Sequence, residues 1–165
     1  MIAPQIIVTP PAPSLARRIA LAAAAGVVLT AALIGSTVLM PALAPASQSR
    51  LCGEYTGCVS TLFLAWDPGR WIALAAAWPL LHLLRLRPSW QIALAAAAYL
   101  VAIWQAALAI MSADAGAGLA LVLFSGLIAY PAAAWVTMPH VSVRTRVLTA
   151  GAALGLFGVA SLLVQ

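Results

Sequence analysis

Long blocks of apolar residues, separated by short clusters of polar and charged ones, follow each other along nearly the whole chain. A charge near the centre of a bilayer costs about 2.5–3.5 kcal/mol, so charged residues mark where a chain leaves lipid. Reading between them predicts five transmembrane helices, at about Ile19–Met40, Pro68–Leu86, Ser89–Met111, Ala115–Met138 and Val147–Val164. The second is the tightest, squeezed between Arg70 and Arg85. Asp67, Pro68 and Gly69 read there as an N-cap followed by proline at the first helical position. Starting the helix at Pro68 gives it roughly 28 Å at 1.5 Å per residue, enough to cross with Arg85 snorkelling at the far end.

The placement of arginine orients these helices. If every span crosses, Arg17, Arg18, Arg85, Arg87, Arg144 and Arg146 fall on one side, which the positive-inside rule makes cytoplasmic. Arg50, Arg70 and the three carboxylates, Glu54, Asp67 and Asp114, fall on the other. Asp67 and Asp114 then begin helices, where a negative charge complements the helix dipole. The expected fold is an all-α, polytopic membrane helix bundle with its N-terminus in and its C-terminus out. Residues 1–18 form a cytoplasmic tail, and 19–165 a single transmembrane domain with an extracytoplasmic loop at 41–67. A cleaved signal peptide ending near Ala42-Leu43-Ala44 is the competing reading of the first span. The apolar run is longer than the 7–15 residues usual for such a segment, and the orientation of the other helices is the same either way.

Composition narrows the class. Of 165 residues 65% are hydrophobic and 7% charged, and the mean hydropathy is +1.08; a soluble domain carries about a quarter charged residues. Soluble, disordered and nucleic-acid-binding classes are excluded on that ground. The net charge of +5 follows from the positive-inside arginines and calls for no nucleic-acid partner, although it favours anionic headgroups.

Both cysteines lie in the long loop, in Leu51-Cys52-Gly53-Glu54-Tyr55-Thr56-Gly57-Cys58. In an extracytoplasmic compartment, thiols this near each other are expected to pair, and the two glycines let the backbone turn back. A disulfide between Cys52 and Cys58 would contribute roughly 2 kcal/mol by loop-closure entropy. A redox-active pair is the alternative, but the C-x-x-C spacing and a basic neighbour between the thiols are missing. The following run, Val59 to Trp66, is too short to span and is expected to lie along the outer interface. Trp66, Trp71, Trp90 and Trp135 read as interfacial anchors.

Helices in lipid associate through small residues and through polar side chains that bond across the interface. The third span carries a seam of Gln91, Ala95, Ala98, Ala102, Gln105 and Ala109, which should face protein. The fifth offers Gly151, Gly155 and Gly158, including a G-x-x-x-G pair suited to packing within the chain or, as the lesser alternative, to dimerisation. Gly118, Ser125, Ala129 and Ala132 share a face of the fourth span, and Gly26, Ala31 and Gly35 are candidates on the first. Pro79 and Pro131 are expected to kink their helices. His82 reads as an interfacial residue.

No catalytic constellation emerges. Cys52 and Cys58 are expected outside while His82 and His140 are expected inside, which separates the ligands of any metal site and the members of any nucleophilic triad. Glu54, Asp67 and Asp114, with Arg50 or Arg70 for a phosphate, could serve an enzyme of lipid-linked substrates. The two aspartates are better explained as helix caps. Proton- or cation-coupled transport needs a carboxylate within the membrane, and no expected span contains one.

The runs Cys52 to Cys58, Asp67-Pro68-Gly69-Arg70-Trp71, Trp78-Pro79-Leu80-Leu81 and Arg85-Leu86-Arg87-Pro88 resemble those of small actinobacterial multi-pass membrane proteins of no known function. The resemblance covers the middle third of the chain and implies no chemistry. The expectation is therefore a plasma-membrane protein of bacterial type that is not an enzyme and has no cofactor. It would act as a structural or accessory subunit packing through small-residue helix faces, with the lipid bilayer, another membrane protein or itself as partner. A small transporter or channel is the alternative, and a disulfide-dependent thiol oxidoreductase stands behind it.

Overall fold

The structure, a computed structural model, describes residues 14–43 and 59–163. All secondary structure among them is helical: α1 Leu15–Leu43, α2 Val59–Leu83, α3 Ser89–Met111, α4 Ala115–Val136 and α5 Val143–Leu163. The chain is a helical membrane bundle, with α1, α3, α4 and α5 each long and apolar enough to cross a bilayer. Cys52, Cys58, Glu54 and Arg50 lie outside the described residues, and so does the expected disulfide.

The first four helices form a ring. α1 packs on α2, α2 on α3, α3 on α4, and α4 closes back on α1, while α5 lies outside the ring against α3 and barely meets α4. Tyr130, Leu81 and Ile92, from three different helices, are the largest fully buried apolar side chains and mark the centre of the core. The tightest crossing joins α1 to α4 at two glycines. A methyl group added to Gly26 would run into the carbonyl of Gly126 and the ring of Tyr130, and one added to Gly126 would meet Thr30 and the Gly26 carbonyl. Removing both side chains lets the two backbones touch, which in lipid substitutes for the absent hydrophobic drive. Gly118 does the same for the α3–α4 hairpin, where an added methyl group would strike Met111 and the Ala107 carbonyl.

Several boundaries differ from the sequence reading. α2 begins eight residues before Asp67 and runs straight through Asp67, Pro68 and Pro79. Asp67 is thus not the N-cap of this helix. The apolar run from Val59 is itself helical, Pro68 is carried inside the helix, and the Asp67 carboxylate pairs with Arg70 instead of with free N–H groups. α1 starts at Leu15 and takes in Arg17 and Arg18, because Ser14 caps it: its hydroxyl accepts from the Arg17 N–H at 3.4 Å and its carbonyl from the Arg18 N–H at 3.1 Å. The helix also continues past Met40, through Pro41 to Leu43. α5 likewise begins at Val143, where the Ser142 hydroxyl accepts from the Thr145 N–H at 3.2 Å and bonds its hydroxyl at 2.9 Å. α3 has the bounds read from the sequence, and Asp114 is the N-cap of α4, accepting from Gly116 N–H at 2.9 Å and Ala117 N–H at 3.1 Å.

Arginines tie one end of the bundle together. The Arg18 guanidinium donates to the Arg87 carbonyl at 2.8 Å and to the Thr137 hydroxyl at 3.2 Å, joining the start of α1 to the α2–α3 connection and the end of α4. Arg146 donates to the Met138 carbonyl at 2.6 Å, which holds the start of α5 to the same end.

Candidate functional site

Because α2 and α5 both pack on α3 and do not pack on each other, a groove remains between them with α3 as its floor. It consists of two recesses that share Trp71, Leu74, Val101 and Phe157. One, of about 370 Å³, reaches toward the α3–α4 turn and is walled by Trp66 and Arg70 of α2, Trp104, Gln105, Leu108 and Met111 of α3, and Leu119 and Val122 of α4. The other, of about 570 Å³, extends toward the arginine-tied end past Ala95, Ala98 and Tyr99 of α3 to Ala150, Ala153 and Arg146 of α5. Both volumes lie in the range of small-molecule sites.

The polar chemistry of the groove is concentrated at one point. Arg70 Nη2 lies 2.8 Å from Asp67 Oδ1, one turn away on the same helix. The guanidinium carbon sits 5.5 Å from the centre of the Trp71 ring, within cation–π range. Arg70 Nε is buried without a hydrogen-bond partner among the described residues, although the side chain as a whole is 34% exposed and that of Asp67 68%. Trp66 stands edge-on to Trp104 at 5.5 Å and 66°, and the Trp104 indole N–H donates to the Ser125 hydroxyl at 3.2 Å. The tryptophan wall behind Arg70 is thereby fixed to both α3 and α4.

Asp67 lies eight residues into α2, roughly 12 Å along the axis from its start. Asp67 therefore stands inside a helix, and not at its start as the sequence reading expected, together with its arginine partner. The Asp-Pro-Gly run concealed it by imitating a helix start. The signal that could have found it is the Asp67–Arg70 spacing of three, which puts both on one face, with Trp66 and Trp71 beside them.

The residues expected to pack helices are placed differently from one another. Ala98 and Gln105 line the groove, so this part of the α3 seam faces an open recess and not a neighbouring helix of the same chain; Gln91 is exposed. The side of α3 that buries against the ring is Ile92, Ala93, Ala96, Leu100, Trp104 and Ala107. Ala102 of the seam is buried there too, while Ala95 and Ala98 are left where α2 and α5 part. Gly151, Gly155 and Gly158 have open space among the described residues where a methyl group would go. The inner side of α5 is instead Arg146, Ala150, Ala153 and Phe157, and at 100° per residue the glycines fall on nearly the opposite side. Of the α4 residues read as one face, Gly118, Ser125 and Ala129 are buried and Ala132 is half-buried; Gly126, which the sequence reading passed over, is buried as well.

His82 is exposed in the last turn of α2 and His140 is exposed in the α4–α5 connection. Among the described residues no three His, Cys, Asp or Glu side chains could hold a metal ion together. Compared with models of known protein families, with curated proteins and with solved structures, the chain matches none.

Proposed function

We propose that this protein is a non-catalytic accessory subunit of a bacterial-type plasma membrane that associates sideways through α5. The observation that carries the reading is the condition of that helix. Only Ala160 of α5 is buried, and its three glycines lie together on the side turned away from the bundle. A helix that simply fills space against lipid gains nothing from a glycine ridge, whereas a second helix can approach closely along one. Leu148, Leu154 and Leu162 are exposed on α5 as well and would supply contact area beside the ridge.

The test is purification of the tagged full chain from its native membrane at natural expression level, in nanodiscs, with mass spectrometry of what is retained. The expected result is one stoichiometric membrane protein, either a different chain or a second copy, that is lost from a Gly155→Leu variant whose own thermal stability is unchanged. A solitary chain, or a partner held equally by the variant, would refute lateral association through α5.

A small transporter or channel is the second reading, favoured by the Asp67–Arg70 pair within α2, since ionisable residues in membrane helices often mark a substrate path. The groove lies on the outside of the four-helix ring and not along its axis, which favours a binding role over conduction.

A further inference from the structure

We propose that the groove between α2 and α5 holds one zwitterionic phospholipid of the ethanolamine class, with an acyl chain along α3 and the headgroup on the Asp67–Arg70 pair. This stands independently of the accessory-subunit reading, which concerns the opposite side of α5.

Three features select the occupant. The first is shape. The two recesses, of about 370 and 570 Å³, meet at Trp71, Leu74, Val101 and Phe157 and together follow α3, the shape that an extended hydrocarbon chain takes up. The second is the floor. Ala95 and Ala98 give α3 a shallow path, and Leu74, Val101, Leu108 and Phe157 border it with apolar surface that an acyl chain would cover.

The third feature is charge. Arg70 lines the recess with 34% of its side chain exposed and spends Nη2 on Asp67; from the remaining N–H groups of the guanidinium a phosphate oxygen would accept with the strength of a charge-assisted bond. A purely anionic headgroup would leave the single positive charge of Arg70 shared between its phosphate and the Asp67 carboxylate. An ethanolamine phospholipid carries its own ammonium group a few bonds from the phosphate. Asp67, with 68% of its side chain exposed, is open to receive it. Trp66 and Trp71 flank the pair as amphipathic rings do at headgroup depth. The acid–base pair thus matches a zwitterion charge for charge.

The test is native mass spectrometry of the purified full chain in mild detergent, titrated with phosphatidylethanolamine or phosphatidylglycerol of identical acyl chains. The expected result is one tight site that prefers phosphatidylethanolamine. Arg70→Gln should weaken both lipids about tenfold, the loss of one hydrogen bond to a charged group, and Arg70→Lys should recover part of it. Asp67→Asn should turn the preference toward phosphatidylglycerol. Ala98→Trp, at an exposed position on the floor, should weaken both lipids with their order unchanged, and Ala95→Leu serves the same purpose if that variant does not fold. Equal binding of the two lipids by the unaltered chain, a preference for phosphatidylglycerol, or binding indifferent to Arg70→Gln and to the floor variants would overturn the proposal. So would crosslinking that places a helix of another chain in the groove.

Discussion

At the scale of single residues, the end of α2 is closed by a Schellman motif. Leu86 N–H bonds the Leu81 carbonyl at 3.1 Å and Arg85 N–H bonds the His82 carbonyl at 2.9 Å, with both leucines buried in the core. The motif requires a left-handed residue, and Arg85 occupies that place at φ 56°, where glycine would carry no side-chain penalty. Arg85→Gly is accordingly expected to raise stability by about 1 kcal/mol, measured by thermal unfolding in detergent. Orientation should be unaffected, since Arg17, Arg18, Arg87, Arg144 and Arg146 remain. Ser125 gives a second residue-scale prediction. Its hydroxyl accepts from Trp104 and donates to the Val122 carbonyl at 2.7 Å, so Ser125→Ala leaves the indole N–H unpaired in a buried place. A loss of about 1 kcal/mol is expected, and Ser125→Thr, which keeps the acceptor, should lose less in the same assay.

Elements succeed or fail here by how closely their backbones can approach. Gly26 and Gly126 meet backbone to backbone, and neither neighbour is the flexible end of a long side chain that could swing away. Gly126→Leu should therefore prevent α1 from closing on α4 and cost more than the 1–3 kcal/mol usual for overpacking, seen as loss of a monodisperse folded species on size-exclusion chromatography. Gly155→Leu, with open space around it, should leave that profile unchanged. The glycine pattern alone did not separate these cases. Gly151 and Gly155 carry the better-known spacing and pack on nothing among the described residues, while Gly26 and Gly126, a hundred residues apart in sequence, meet backbone to backbone.

For the whole molecule the ring of α1 to α4 is the structural unit, and α5 is an attachment to it. α5 contributes a single buried residue, so a chain ending after His140 is expected to keep a folded four-helix core, lowered in melting temperature by a few degrees at most. The same truncation should abolish lateral association and, by removing one wall of the groove, weaken phospholipid binding. Circular dichroism melts of the truncated and full chains in the same detergent check the first expectation.

The membrane class, the helical content and the position of most helices were legible in the chain itself, because the cost of placing charge in lipid is large and acts locally. Any run without charge, bounded by Arg or Asp, has little choice, and α3 and the Asp114 cap of α4 came out at the residues read. The start of α2 was misread for a reason equally local: Asp67-Pro68-Gly69 satisfies the rules of a helix beginning, and only a helix already running from Val59 with Arg70 taking the carboxylate makes it an interior segment. Which faces meet was decided by tertiary structure alone. Small residues permit close approach without naming a partner, so a glycine reads the same whether another helix or open space lies opposite. The packing of α5 on α3 beside, and not against, α2 turned part of an alanine seam into the floor of a groove and brought an arginine and three tryptophans to its wall.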